Sequence, residues 1–203
     1  MTILVLDPRW PDMIPLGVAS RITGPVEYTS EVPVSVRWAL ADVTPGGAGG
    51  WLVTTDAGDP DVVKRAESED TIVVPSLADP LAQAEETMRR ARERGEWERS
   101  MTHESLLAYL EEEAREFAAA VRGGDDAQMR AELSDVFLQV LFHAELARER
   151  GAFDLADVAA AFVDKMKSRA PYLFDGSTGL VGLEEQDRLW AEGKRREGAP
   201  GAT

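Results

Sequence analysis

The stretch from Leu106 to Ala144 limits what this chain can fold into more than any other. Leu106, Leu107, Leu110, Ala114, Phe117, Ala118 and Val121 recur at intervals of three and four, the apolar stripe of a packed helix. Gly123-Gly124 stops that helix, and Asp125 or Asp126 starts another that carries Met129, Leu133, Val136, Phe137, Val140, Leu141 and Ala144 before Gly151. Helices joined by so short a turn pack antiparallel. The second is apolar almost all round from Val136 to Phe142, which predicts a largely buried helix.

The surrounding sequence extends this pair into a helical domain. Asp79 and Pro80 suit the N-cap and first position of a helix reaching Arg94. A linker over residues 95–100 leads to the helix that starts near Thr102. Asp154 caps a further helix that runs to the Pro171 break, and a last one spans Leu183 to Glu197 before a flexible tail at 198–203. Residues 1–79 differ in texture, being rich in Val, Ile, Thr, Gly and Pro. Ile3–Leu6, Val32–Val36, Trp51–Thr55 and Thr71–Val74 read as short strands, with Asp61–Glu67 a crossover helix and the last two strands paired in parallel. The glycine-rich run Pro45–Gly50 has no Lys-Ser/Thr ending and precedes a strand, so it reads as a loop and not a phosphate cradle. The expected fold is mainly α: a small α/β module of unassigned role over 1–79, then an all-α bundle over 80–197.

Five acids lie on the two central helices. Glu112, Glu113 and Glu116 share one helical face, and Glu132 and Asp135 share another. The bland reading is a solvated surface, since exposed glutamates are common. Glu132 and Asp135, however, sit at the edge of the buried face, where a carboxylate is costly to desolvate without a cationic partner. The antiparallel turn would bring Glu113 and Glu116 opposite them, an all-oxygen donor set suited to Mg²⁺, with Mn²⁺ as a substitute.

Composition narrows the partners. The chain has no cysteine and two histidines, so thiolate sites, disulfides and imidazole-rich zinc sites are excluded or disfavoured, and a metal must sit on oxygen. A net charge of −15 argues against nucleic-acid polymers as partners but allows small phosphorylated ligands bridged by a divalent ion. No apolar run is long enough to span a membrane. The N-terminus lacks a secretory signal, which leads to the expectation of a cytoplasmic protein.

Thr102–Leu106, Leu110–Glu116, Glu132–Val136 and Lys165–Phe174 together resemble the MazG family of nucleoside triphosphate pyrophosphohydrolases, over about residues 94–197. Gly95-Glu96-Trp97-Glu98 stands where that family often has Cys-Pro-Trp-Asp, and Arg169-Ala170-Pro171 replaces a common Arg-His-Pro. The resemblance implies hydrolysis of NTP or dNTP to the monophosphate and pyrophosphate, in the house-cleaning of aberrant or excess nucleotides. It also implies Glu113, Glu116, Glu132 and Asp135 as metal ligands and Glu112 and Glu113 as catalytic acids. Lys165, Arg169, Trp190 and Lys194 become candidates for nucleotide and phosphate binding, and a homodimer, open to further assembly into a higher homo-oligomer, becomes the expected assembly.

For individual residues the plainer roles stay open: Lys165 and Arg169 as favourable charges at a helix C-terminus, Trp190 as a packing residue, and Trp97 as a loop anchor. His103 is expected to fix its helical turn, and His143 to be a core histidine with its hydrogen bonds satisfied. For the whole chain, one alternative is a narrower dUTP-type or phosphoribosyl-nucleotide pyrophosphohydrolase. The other is a non-enzymatic helical adaptor whose acids merely solvate a dimer.

Overall fold

A computed structural model of the chain describes residues 1–41 and 50–198, which belong to two compact units, Met1–Glu86 and the remainder from Thr87. In the first unit, β1 (Thr2–Val5), β2 (Val26–Tyr28), β3 (Trp51–Thr54) and β4 (Asp70–Val73) form a sheet of order β2-β3-β1-β4 in which every pairing is parallel. Strand alternation divides the core in two. Leu4, Leu6, Trp51 and Val53 pack with Ile22, Val32, Val36 and Leu40, while Ile3, Val5 and Leu52 pack with Val62. Burial on both faces is what a parallel sheet requires. Among the described residues, three helices connect the strands: α1 (Leu16–Ala19), α2 (Val34–Ala41) and α3 (Pro60–Ala66), the last capped by the Asp59 carboxylate.

Two expectations for this unit fail. The run Val32–Val36 is not a strand but the entry to α2, and the strand of this region is Val26–Tyr28. Pro33 suits a helix start, its carbonyl accepts from the amides of Val36 and Arg37, and Val32, Val36 and Leu40 recur every four residues on the buried side. The Arg37 guanidinium fixes the approach by donating to the carbonyls of Thr29, Ser30 and Val32. The two last strands are parallel but do not pair, because β1 lies between β3 and β4. The Pro45–Gly50 loop, apart from Gly50, lies outside the described residues, as does the tail beyond Gly198.

Among the described residues, six α-helices follow: α4 (Pro80–Arg94), α5 (Glu96–Ser100), α6 (His103–Gly123), α7 (Asp126–Glu149), α8 (Leu155–Arg169) and α9 (Leu183–Glu197). The presumed linker over 95–100 is thus mostly a short helix, α5. Thr102 and Ser105 close a reciprocal capping box at the start of α6, and Asp154 and Asp157 do the same for α8. The Asp125 side chain accepts from the amides of Ala127 and Gln128 and so starts α7. Gly124 makes the turn before it, with φ of 74°, a value that side chains other than glycine rarely adopt.

α6 and α7 run antiparallel, since contacts climb one helix as they descend the other: His103 meets His143, and Glu113 and Glu116 meet Glu132. α7 is buried chiefly in its second half, at Leu141, Phe142, Ala144, Leu146 and Ala147. Leu133, Leu138 and Val140 remain substantially exposed in the single chain, so the expected burial of the whole helix is only half met.

Candidate metal centre

The three- and four-residue spacing on α6 and α7 and the turn between them bring three acids together and two more within reach of their charge. Carboxylate oxygens of Glu113, Glu116 and Glu132 all lie within 4.8 Å of one another, with Glu113 and Glu132 half-buried and Glu116 exposed. Asp135, half-buried one turn after Glu132, is not within that triad but acts on it through its charge. Burial pushes the Glu113 carboxyl above its ordinary value, and the charges of Asp135, Glu116, Glu112 and Glu132 push it further in the same direction. Glu112 is exposed beside the group.

This arrangement is electrostatically unfinished. Five acids crowd one face, and among the described residues no arginine or lysine ion pair reaches the triad. A hard divalent cation suits the three converging oxygens, because it needs an all-oxygen donor set and relieves the repulsion that raises Glu113. The residues present therefore fit a metal of the Mg²⁺ class.

The basic and aromatic candidates gather elsewhere, at the junction of α8 and α9. Arg169 donates from Nε to both carboxylate oxygens of Glu197 at 3.1 Å, and its guanidinium carbon stands 5.2 Å from the centre of the Trp190 ring. The carboxylate paired with Arg169 is thus Glu197, not one of the five acids. Lys165 is exposed on α8, where its charge acts on Glu197, and Lys194 is exposed on α9. Trp190 is 38% exposed. Gly193 explains why these helices come so close: a Cβ there would meet the Ser168 carbonyl oxygen at 2.8 Å and Arg169 Cα at 2.9 Å.

The histidine expectations need correction. His103 does not fix its own turn. Its Nδ1 lies 2.7 Å from Nδ1 of His143 across the helix pair, and its Nε2 lies 2.9 Å from Nη2 of Arg150. His143 is not fully satisfied either, since its Nε2 is buried without a hydrogen-bond partner. Gln139, one turn before it on α7 and only 4% exposed, also leaves its Oε1 without one. Trp97 anchors α5 by standing edge-on to Tyr109 and Phe142, at 5.8 and 5.9 Å between ring centres. The only sign of Gln139 in the sequence was a polar residue inside an otherwise apolar run. Arg92 and Glu149, which join the end of α4 to the end of α7, gave no sequence sign at all.

The sequence matches two family models, the MazG N-terminal domain over residues 1–73 and the MazG nucleotide pyrophosphohydrolase domain over residues 101–174. A nucleoside triphosphate pyrophosphohydrolase of Mycolicibacterium smegmatis is 37% identical over 97% of this chain, and one of Mycobacterium tuberculosis is 36% identical over 98%. The chain spans 63% of the length of each. Among solved structures, a mazG-related protein from Thermotoga maritima aligns with a TM-score of 0.50 at 29% identity, covering 56% of this chain and 98% of that one. The second family match contains all five acids of the α6–α7 site, the first spans the parallel sheet, and the chain therefore carries both MazG domains, the N-terminal and the nucleotide pyrophosphohydrolase domain.

Proposed function

We propose that this chain hydrolyses nucleoside triphosphates, NTP or dNTP, to the monophosphate and pyrophosphate with the help of a bound Mg²⁺, for which Mn²⁺ would substitute. The observation that carries the reading is the convergence of the Glu113, Glu116 and Glu132 oxygens within 4.8 Å, with Asp135 and Glu112 beside them. The names of the Mycolicibacterium and Mycobacterium relatives point to the same reaction. Removal of aberrant or excess nucleotides in the cytoplasm is the role we assign to it.

Glu113, Glu116, Glu132 and Asp135 would hold the ion. When bound, the metal neutralises triphosphate charge and lowers the pKa of a water near the α-phosphorus. Glu112 and Glu113, adjacent on α6, would orient that water and accept its proton. Lys165 and Arg169 would offer cationic contacts to the leaving pyrophosphate, with Lys194 and Trp190 closing the pocket. Arg169 would have to exchange Glu197 for phosphate to do so. Residues 80–197 form the catalytic module in this reading, and 1–79 an accessory one.

A homodimer is part of the proposal. Leu107, Leu133, Leu138 and Phe162 expose apolar side chains on α6, α7 and α8, more than a solitary bundle leaves to water. No helix among the described residues is long and apolar enough to cross a membrane.

A panel of ordinary, deaminated and oxidised nucleotides, assayed for pyrophosphate with Mg²⁺ and with EDTA, tests the function. Mg²⁺-dependent release, abolished in Glu113→Ala and Asp135→Ala with the circular dichroism unchanged, is the expected outcome. No release on any nucleotide would sink the reading and leave the adaptor alternative. Strict preference for dUTP or a phosphoribosyl nucleotide would narrow it.

A further inference from the structure

Lys165, Ser168 and Arg169 are three and four residues apart on the last turns of α8 and so share one face. An ammonium, a hydroxyl and a guanidinium fork in that spacing make a cradle suited to phosphate or carboxylate oxygens. The cradle already holds an anion. Arg169 donates from Nε to both carboxylate oxygens of Glu197 at 3.1 Å, and from Nη2 to Oε2. Arg169 above all, then a hydrogen bond from the Ser168 side chain and the charge of Lys165, outweigh desolvation and hold the Glu197 carboxyl below its ordinary value.

The helix that carries Glu197 does not explain its place. Glu197 ends α9, where the carbonyl pole disfavours a negative charge and Lys194, Arg195 and Arg196 are the favourable neighbours. Nor is the pair needed to fasten α9 to α8. The close approach at Gly193 and the donation from Arg196 Nη2 to the Ser168 carbonyl do so independently. The Arg169 and Glu197 side chains are 19% and 36% exposed, so water reaches the pair and it contributes little to stability. A ligand of higher charge can displace the carboxylate from such a pair.

We propose that Glu197 is an internal competitor for the phosphate end of the nucleotide: its carboxylate occupies the Lys165, Ser168 and Arg169 cradle until the terminal phosphates displace it, and it returns as pyrophosphate leaves. This deepens the nucleotide-hydrolase reading and rests on it, and it adds Ser168 to the groups that hold the leaving pyrophosphate. The Trp190 ring, 5.2 Å from the Arg169 guanidinium carbon, keeps that cation in place while its anions exchange. Glu197 thereby limits how tightly the product is held.

Glu197→Gln tests the idea, because it keeps the side-chain shape and the helix junction, and with them Trp190 and Lys194, while removing the competing charge. In calorimetric titrations with inorganic pyrophosphate and Mg²⁺, the variant should bind about fivefold more tightly than wild type, the upper range for one exposed ion pair. KM for NTP should fall by a similar factor, product inhibition by pyrophosphate should strengthen, and the Tm should stay within about 2 °C. Ser168→Ala should weaken pyrophosphate binding about threefold, the effect of one neutral hydrogen bond. A pair that merely fastens the helices gives the reverse: Glu197→Gln would lower the Tm and weaken pyrophosphate binding, since Arg169 would lose its support. That result, or a pyrophosphate affinity equal to wild type in either variant, overturns the proposal and leaves the hydrolase reading standing. Affinities that change as expected, in a protein that releases no pyrophosphate from any triphosphate, overturn the hydrolase reading and leave Glu197 the competitor at an anion site.

Discussion

Arg92 meets Glu149 with two parallel hydrogen bonds, Nε to Oε1 at 3.0 Å and Nη2 to Oε2 at 2.6 Å, between the last turns of α4 and α7. Its Nη1 donates to the backbone carbonyls of Glu98 and Met101, which close off α5. One guanidinium thereby holds three segments, including the helix that carries Trp97 and the entry to α6. The acids of α6 keep their register with α7 partly because this corner is fixed.

Arg92→Met tests that role. Removing one partner of a buried pair costs about 3–5 kcal/mol, but Glu149 is 37% exposed and water will solvate its freed charge, so about 2 kcal/mol is expected. That corresponds to a Tm lower by roughly 4–8 °C. The pH dependence should change too. Arg92 holds the Glu149 carboxyl below its ordinary 4.5, so the pair's contribution is fully present above 4.5 and is lost as pH falls through the lowered value. Wild type should lose stability over that acid range, and Arg92→Met should lose less.

Glu113 behaves in the opposite sense. Its folded-state pKa is raised by burial and by Asp135, so the folded chain binds the proton more tightly than the unfolded one. Stability from this group is present below the unfolded value and declines as pH rises from there through the folded value. The metal-free protein should therefore gain from Glu113→Gln at pH 7.5, by a Tm increase of a few degrees. Mg²⁺ at a hundredfold excess over its Kd should raise the wild-type Tm by roughly 5–10 °C, from about 2.7 kcal/mol of linkage. Glu113→Gln should forfeit most of that increment, and calorimetric scans with Mg²⁺ and EDTA at pH 5 and 7.5 would reveal both effects.

In the first unit, Glu31 ties β2 to β3. Its Oε1 accepts from Thr54 Oγ1 at 2.9 Å, from the Thr55 amide at 3.1 Å and from the Thr29 hydroxyl. Burial alone would raise its pKa, but the hydrogen bonds outweigh burial and bring it down to about 2. The contribution is present above the ordinary 4.5 and lost as pH falls toward 2. Glu31→Gln should speed hydrogen exchange of the Val53 and Thr54 amides about fivefold at pH 7, the effect of losing roughly 1 kcal/mol. The difference from wild type should vanish near pH 2.

The acid cluster was legible because its signal is local: acids three and four apart on two helices joined by a glycine turn. Helix periodicity and caps likewise marked α4, α6, α7, α8 and α9 to within a residue or two. The first unit was harder, since Val32, Val34 and Val36 alternate like a strand and only the packing of Val32, Val36 and Leu40 against the sheet makes them helical. The order of its strands is set by β1 entering between β3 and β4, a long-range event that no local pattern records. Arg92–Glu149 and His103–His143 were hidden for the same reason, as each joins residues 40 or more apart in sequence.

Gly193 sets the distance between α8 and α9, and so the position of the cationic candidates. Its missing side chain leaves room for the Ser168 carbonyl oxygen and for Arg169, whose Cγ would be 2.8 Å from an added Cβ. Two of those three contacts are with backbone, so rotating a side chain cannot relieve them. Gly193→Ala gains helix propensity, worth up to about 1 kcal/mol, but must push the helices apart. Overpacking of this kind costs about 1–3 kcal/mol, and a net loss is expected. The displacement should also part Arg169 from Glu197 and Trp190, which hold each other across this junction. The variant is therefore expected to lower the Tm by a few degrees and to raise KM for NTP severalfold with Mg²⁺ affinity unchanged, since the acids of α6 and α7 lie elsewhere. A variant with wild-type KM and altered Mg²⁺ affinity would reverse the assignment of the two ends of the site.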